Sequence, residues 1–252
     1  MTTTRQSLPS AGRRYLAGAI DVLEQVATHQ WREIRSGAES VADTIAGGGL
    51  VHVFGTGHSH MLAEEMFYRA GGLAAVNPIL IESLMLHAGA EESTRLERSS
   101  GMATSIFSDV PMKKGDTMII ASNSGGNAVG GEMARLAADA GATIIAIIST
   151  RHAEASGPKD DTSRLALVAD VVIDNHGAVG DASITIEGLD RMVAPTSTVA
   201  GAAIINAIVA EAVEILIDRG DTVEFFSSSN VDGGDAVNTA LVARYSKVVK
   251  AL

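Results

Sequence analysis

The chain has 252 residues, is 46% hydrophobic and 4% aromatic, and carries a net charge of −11 with no cysteine. That is enough apolar material for one full core, while the missing thiols exclude disulfides, thiolate nucleophiles and cysteine-ligated metals. An acidic chain with no basic cluster argues against nucleic-acid binding through phosphate neutralisation. Without a run of ~20 apolar residues, a membrane partner is not expected. Residues 1–7 lack the hydrophobic core of a signal peptide, so the expected location is the cytoplasm.

Residues 10–46 read as one or two helices. Leu16, Ile20, Leu23 and Val26 recur at helical spacing and mark one apolar face. Trp31, Ile34, Ala38, Val41 and Ile45 continue it, and three glycines at 47–49 end it. The segment up to residue 48 is therefore an N-terminal helical arm. A βα rhythm follows over 49–220: a strand near 50–54, a helix over 59–70, a strand near 74–81, a helix over 91–106, a strand over 117–121, a helix over 127–140, strands over 143–148 and 169–173, and a helix over 197–218. This order predicts an α/β fold of three layers, with a mainly parallel five-stranded sheet between helices. Residues 151–168, with Gly157-Pro158 and Asp160-Asp161, read as a surface loop, and 174–190 as another. Residues 221–252 form a tail ending in an Ala/Val-rich helix with Arg244, Lys247 and Lys250, suited to a subunit contact or a lid.

Two strand-to-helix turns carry the chemistry. Residues 121–127 read Ala-Ser-Asn-Ser-Gly-Gly-Asn, and residues 55–59 read Gly-Thr-Gly-His-Ser. Helix N-termini expose unpaired N–H groups with partial positive charge, and hydroxyls and amides add neutral donors. In an open parallel sheet, ligands bind beyond the carboxyl ends of the strands, where both turns fall. The expected anion seat therefore comprises Gly57, His58, Ser59, Ser122, Asn123, Ser124 and Asn127, and its expected ligand is a phosphate ester.

These two turns resemble the phosphosugar loops of SIS (sugar isomerase) domains. Residues 194–201, Ala-Pro-Thr-Ser-Thr-Val-Ala-Gly, resemble the hydroxyl-rich entry to the last helix of that fold, which adds Ser197 and Thr198 to the seat. The likeness spans about residues 10–220 and is greatest to bacterial single-domain SIS proteins of the phosphoheptose-isomerase-like type. It implies a flavodoxin-like layered fold without a nucleotide, a phosphorylated sugar as ligand, self-association as a homodimer or tetramer, and no cofactor. In such proteins an N-terminal helical pair packs on a partner subunit; covering its own sheet is the alternative. The resemblance also implies aldose–ketose isomerisation through an enediol, which needs a base, with a phosphosugar lyase or deaminase, or a non-catalytic sensor, as alternatives. The last helix lacks the Gln and His of the zinc-dependent phosphoheptose isomerases, while Ser197–Gly201 is closer in flavour to the muramic-acid-phosphate etherases.

Glu65, on the helix that opens at Ser59, is the preferred base, with Glu64 beside it. Glu82 and His87 interrupt an apolar run after the second strand, where burial would perturb both. His176 and Asp181 lie on a glycine-rich loop at the ligand edge of the sheet. His60 and Glu64 have the i, i+4 spacing of a metal pair but lack a third ligand in register, so no metal is expected.

Overall fold

A computed structural model describes residues 9–156 and 164–252. Five parallel strands, β1 (Val51–Gly55), β2 (Val76–Ile79), β3 (Thr117–Ala121), β4 (Thr143–Ile148) and β5 (Val171–Asp174), form one sheet in the order β2-β1-β3-β4-β5. β1, β2 and β3 are buried along their whole length, because helices cover both faces, and their near-continuous apolar runs follow from that. Successive side chains alternate between the faces. Val51, Val53, Ile119, Ala121, Ile145, Ile147 and Ile173 meet α2 (Trp31–Ala46), α3 (Met61–Met66) and α8 (Ser197–Arg219). Phe54, Met118, Ile120, Ile144, Ala146 and Ile148 meet α5 (Met102–Phe107) and α6 (Ala128–Asp139). The expected three-layer α/β architecture is the observed one.

The two N-terminal helices differ in burial. α2 is a core helix: Ile34, Ala38, Val41 and Ala42 pack on the protein's own sheet and on α8. α1 (Ala11–His29) buries Val26 but leaves Leu16 at 62% and Ile20 at 56% exposed. The single apolar face expected for α1 is thus split, with its N-terminal half turned outward. α8 is long and apolar enough to cross a membrane by length and composition. It is the central helix of one layer, with Ala200, Ile204, Ile205 and Ile208 buried. Gly201 permits its close approach to α3, since a Cβ there would lie 2.6 Å from Leu62 Cδ2.

Several boundaries differ from expectation. The helix expected over 59–70 is a 3₁₀ turn at 57–60 followed by α3, which stops at Met66 where Phe67 turns extended. The chain then pairs antiparallel with the tail, Gly71 N–H donating to Phe226 O and Ala74 N–H to Glu224 O. The helix expected over 91–106 is two helices, α4 (Leu86–Leu96) and α5, parted where Gly101 takes φ +86°. Within the loop expected over 151–168, α7 (Thr150–Ala155) forms, capped by the Ser149 hydroxyl accepting from His152 N–H. Gly157-Pro158 and Asp160-Asp161 lie outside the described residues. The loop expected over 174–190 contains β6 (Ala182–Ile184), which pairs antiparallel with β7 (Val193–Pro195). The tail forms α9 (Gly234–Tyr245) and packs on its own chain, burying Phe226, Leu241 and Val249; Lys247 and Lys250 fall beyond that helix.

A buried polar network sits near the amino edge of the sheet. His52 Nε2 pairs with Asp116 Oδ2 at 3.1 Å, and His52 Nδ1 with Asn77 Nδ2 at 3.0 Å. The Asp116 carboxylate also accepts from the N–H groups of Leu50 and Lys113. Burial lowers the His52 pKa from 6.5, against the opposing pull of the Asp116 bond and charge.

Candidate functional site

The strand register places the two expected loops side by side. Gly55 aligns with Ala121, and Ala121 with Ile147. Thr56 and Ser122 therefore leave adjacent strands at one level, about 4.8 Å apart. Ile148 aligns with Asp174, so Asn175 leaves the sheet one strand further along. Gly55 makes the first turn possible: a Cβ there would lie 2.4 Å from the Ser59 carbonyl oxygen.

These strand ends and the start of α8 enclose one pocket. Its lining includes His58, Ser59, Ser122, Asn123, Asn175, Ser197 and Thr198, with Leu62 and Gly201 as apolar wall. The enclosed space is about 20 Å³, slightly more than the space one water needs. The Ser122 oxygen accepts from Gly125 N–H at 3.2 Å, leaving its proton to donate elsewhere. Asn123 Oδ1 accepts from Asn175 Nδ2 at 3.1 Å, so the Asn123 amide nitrogen keeps its donors. Asn175 itself is braced by Gly177 N–H, which donates to its Oδ1 at 2.8 Å. Apart from His58 the lining side chains are uncharged, and the N-terminus of a 23-residue helix stands at one side.

Asp181 takes part of that helix end. Its Oδ1 accepts from the N–H groups of Thr196 and Ser197 at 3.1 and 2.9 Å, and its Oδ2 accepts from the Ser197 hydroxyl at 2.6 Å. The Ser197 proton is thereby committed, and the oxygen of Ser197 remains as an acceptor. Asp181 holds φ +67° to reach this position.

Of the residues expected in the anion seat, His58, Ser59, Ser122, Asn123, Ser197 and Thr198 come together. Gly57 is buried in the 3₁₀ turn behind His58, with φ +54°. Ser124 lines a different pocket, with Gly125, Ile148 and Thr150. Asn127 is the N-cap of α6 but makes no side-chain capping bond. Asn175 was missed by the sequence reading; its only signal was its place directly after β5 at the ligand edge.

The expected acid–base groups are distributed more widely. Glu65 Oε1 accepts from Asn206 Nδ2 at 2.7 Å and from Arg69 Nη1, which sets it on the seam between α3 and α8, one turn beyond Leu62. Glu64 is exposed and lies 3.7 Å from His60 Nε2. Glu82 and His87 are exposed, contrary to the burial expected of them, because the chain after β2 runs over the surface. The His87 ring meets that of His60 edge-on, 6.4 Å between centroids. The His176 N–H donates to Asp174 Oδ1 at 2.9 Å, and its ring lies beside Gln30 and His29 at the α1–α2 corner, outside the pocket lining. Among the described residues, no three His, Cys, Asp or Glu side chains gather into a metal-holding group.

A larger cavity, about 560 Å³, opens at the opposite edge of the sheet beneath α9, lined by Leu50, Ala75, Lys113 and Arg244 among others. It lies at the amino ends of the strands, away from the edge where such sheets bind ligands.

Comparison with known proteins shows the family and the fold. Residues 14–149 match the model of the SIS domain family. The chain is 40% identical over 239 residues to the UPF0309 protein of Listeria monocytogenes serotype 4b, covering 94% of this chain and 97% of that one. It is 46% identical over 195 residues to the UPF0309 protein of Brucella anthropi, covering 77% and 79%. The fold is similar to that of a phosphoheptose isomerase from Francisella tularensis, with a TM-score of 0.53 at 13% identity over 79% of this chain and 95% of that one. It is also similar to that of a phosphoheptose isomerase from Neisseria gonorrhoeae, with a TM-score of 0.51 at 16% identity over 81% and 97%. With the family model matched over more than half of this chain, the chain belongs to the SIS domain family.

Proposed function

We propose that this protein is a phosphosugar enzyme, an aldose–ketose isomerase that acts through a carboxylate base and an enediol. The observation that carries the reading is the convergence of Ser59, Ser122, Asn123 and Thr198 from three separate segments into one pocket with neutral donors and a helix N-terminus. A phosphate monoester is recognised by such donors without a lysine. The free space of about 20 Å³ is smaller than a phosphate group, so the loops must part slightly as the phosphate end meets these donors, with the sugar extending over the loops. Glu65 is the proposed base: the α3–α8 seam that holds it begins at Leu62 and Gly201 in the pocket wall. Glu65, Glu82, His87 and His176 all lie outside the lining. Glu65 ranks first because it sits on the same helix as Leu62 and is bonded to α8, and His58, which is exposed, is the imidazole in the lining. The proposed setting is cytoplasmic.

We also propose a homodimer or dimer of dimers in which a second copy covers the outward Leu16–Ile20 stripe of α1. A monomeric mass by light scattering at micromolar concentration would contradict it.

The functional reading is tested by a thermal-shift panel of sugar phosphates, followed by turnover assays. Stabilisation by one member together with aldose–ketose interconversion supports an isomerase. Lactate or ammonia release would replace it with lyase or deaminase chemistry, binding without turnover would make the protein a sensor, and no stabilisation by any member would remove the phosphosugar reading.

A further inference from the structure

A carboxylate that the sequence motifs do not single out stands against the same loops. Glu97 follows α4 directly. Thr56 Oγ1 donates to its Oε2 at 2.8 Å, so the carboxylate is fixed to the first residue after β1. The Glu97 carbonyl accepts from Val129 N–H at 3.3 Å, in the first turn of α6, which follows the second serine loop. A Cβ on Gly57 would lie 3.9 Å from Oε2, an ordinary contact distance. Glu97 thus bridges the two loops on the side where α4 ends and α6 begins, and the pocket lies on the side of α3 and α8. It is half-buried, and among the described residues Thr56 supplies its side chain's one hydrogen bond.

That geometry does not suit an anion seat, because a carboxylate is acceptor-only and repels phosphate. It suits a hydroxyl donor. A sugar phosphate brings both chemistries in one molecule: an anion that needs donors and hydroxyls that need acceptors. A half-buried carboxylate with open acceptor capacity gains from such a hydroxyl, since charge-assisted hydrogen bonds are about twice as strong as neutral ones.

Resting on the phosphate seat proposed above, we propose that Glu97 is the sugar-facing acceptor of the site, held by Thr56, and that it selects polyhydroxylated phosphate esters over inorganic phosphate. Glu97→Gln retains the shape and can still accept from Thr56 while removing the charge. Thr56→Val retains the charge and removes the tether.

The test is titration calorimetry of the full chain with inorganic phosphate and with the sugar phosphate that stabilises it most. In the native protein the sugar phosphate binds more tightly than inorganic phosphate. In Glu97→Gln that advantage falls about tenfold or more, while inorganic phosphate binds as well as before or better. Thr56→Val loses part of the advantage. Glu97→Asp, which keeps the charge but draws it back by one methylene, loses the advantage similarly and serves if the Gln variant does not fold. An undiminished advantage in folded Glu97→Gln overturns the role of Glu97 and leaves the seat standing. Equal loss of both ligands in Glu97→Gln also overturns it, by making Glu97 a support of the seat. Failure of the native chain to bind either probe overturns the seat and this proposal together.

Discussion

Nδ2 of Asn206 donates to Oε1 of Glu65 across 2.7 Å, joining α3 to α8 one turn beyond the pocket wall. The bond fixes a carboxylate that is also paired with Arg69, so its rotamer is set before any ligand arrives. If Glu65 is the base, Glu65→Gln lowers kcat by about 10²–10⁴-fold, the usual share of general base catalysis, with little change in ligand affinity. Single-turnover kinetics on the ligand found by thermal shift checks this. Full activity in the variant would exclude Glu65.

Ser122 and Ser124 line different pockets, and the proposed anion seat includes only Ser122. Ser59→Ala and Ser122→Ala each remove a donor to phosphate, worth roughly 1.5–3 kcal/mol, or about 10- to 150-fold in affinity. Ser124 lines the neighbouring pocket, so Ser124→Ala is expected to cost much less. Calorimetry with the three variants decides the matter, and equal losses at Ser122 and Ser124 would extend the seat along the whole loop.

Acid should weaken the fold through His52. Its folded pKa lies below the unfolded value of 6.5 because the ring is buried, so the unfolded chain takes up the proton first. Its contribution to stability is full above about pH 6.5 and is lost as pH falls from there through the folded value. Urea melts should show a lower midpoint at about pH 5.5 than at about pH 7.5. An imidazole resonance titrating below 6.5, absent in His52→Gln, would identify the group. Titration of every imidazole at or above 6.5 would refute the assignment.

Gly55→Ala puts a Cβ 2.4 Å from the Ser59 carbonyl oxygen and 2.9 Å from the Ser59 Cβ. Backbone has to move, because the nearest atoms are not the tip of a flexible side chain. Overpacking of this kind costs about 1–3 kcal/mol, and the displaced atoms belong to the pocket. Both the melting temperature and phosphate-ester affinity should fall. A variant with a lower melting temperature but native affinity would show that Ser59 is not held by this turn.

The sequence by itself determined the layered α/β fold and the sheet edge at which the two serine loops meet. Thr117–Ala121 and Thr143–Ile148 are fully legible because a strand buried on both faces must be an unbroken apolar run, a local property. That Ser59 and Ser122 share one pocket is legible because parallel strands deliver their following residues to one edge whatever the distant packing. Tertiary structure decided the rest. Whether Ser124 joins Ser122 depends on how the loop lies against Ile148, and whether Glu65 faces solvent depends on Asn206, 141 positions away. The place of Asn175 in the lining needed the β4–β5 register, and the bond from Thr56 to Glu97 needed the approach of α4 to the first loop. Local patterns state which backbone an element adopts. The direction of a polar side chain is set by partners far along the chain, since hydrogen bonds there must be satisfied in three dimensions.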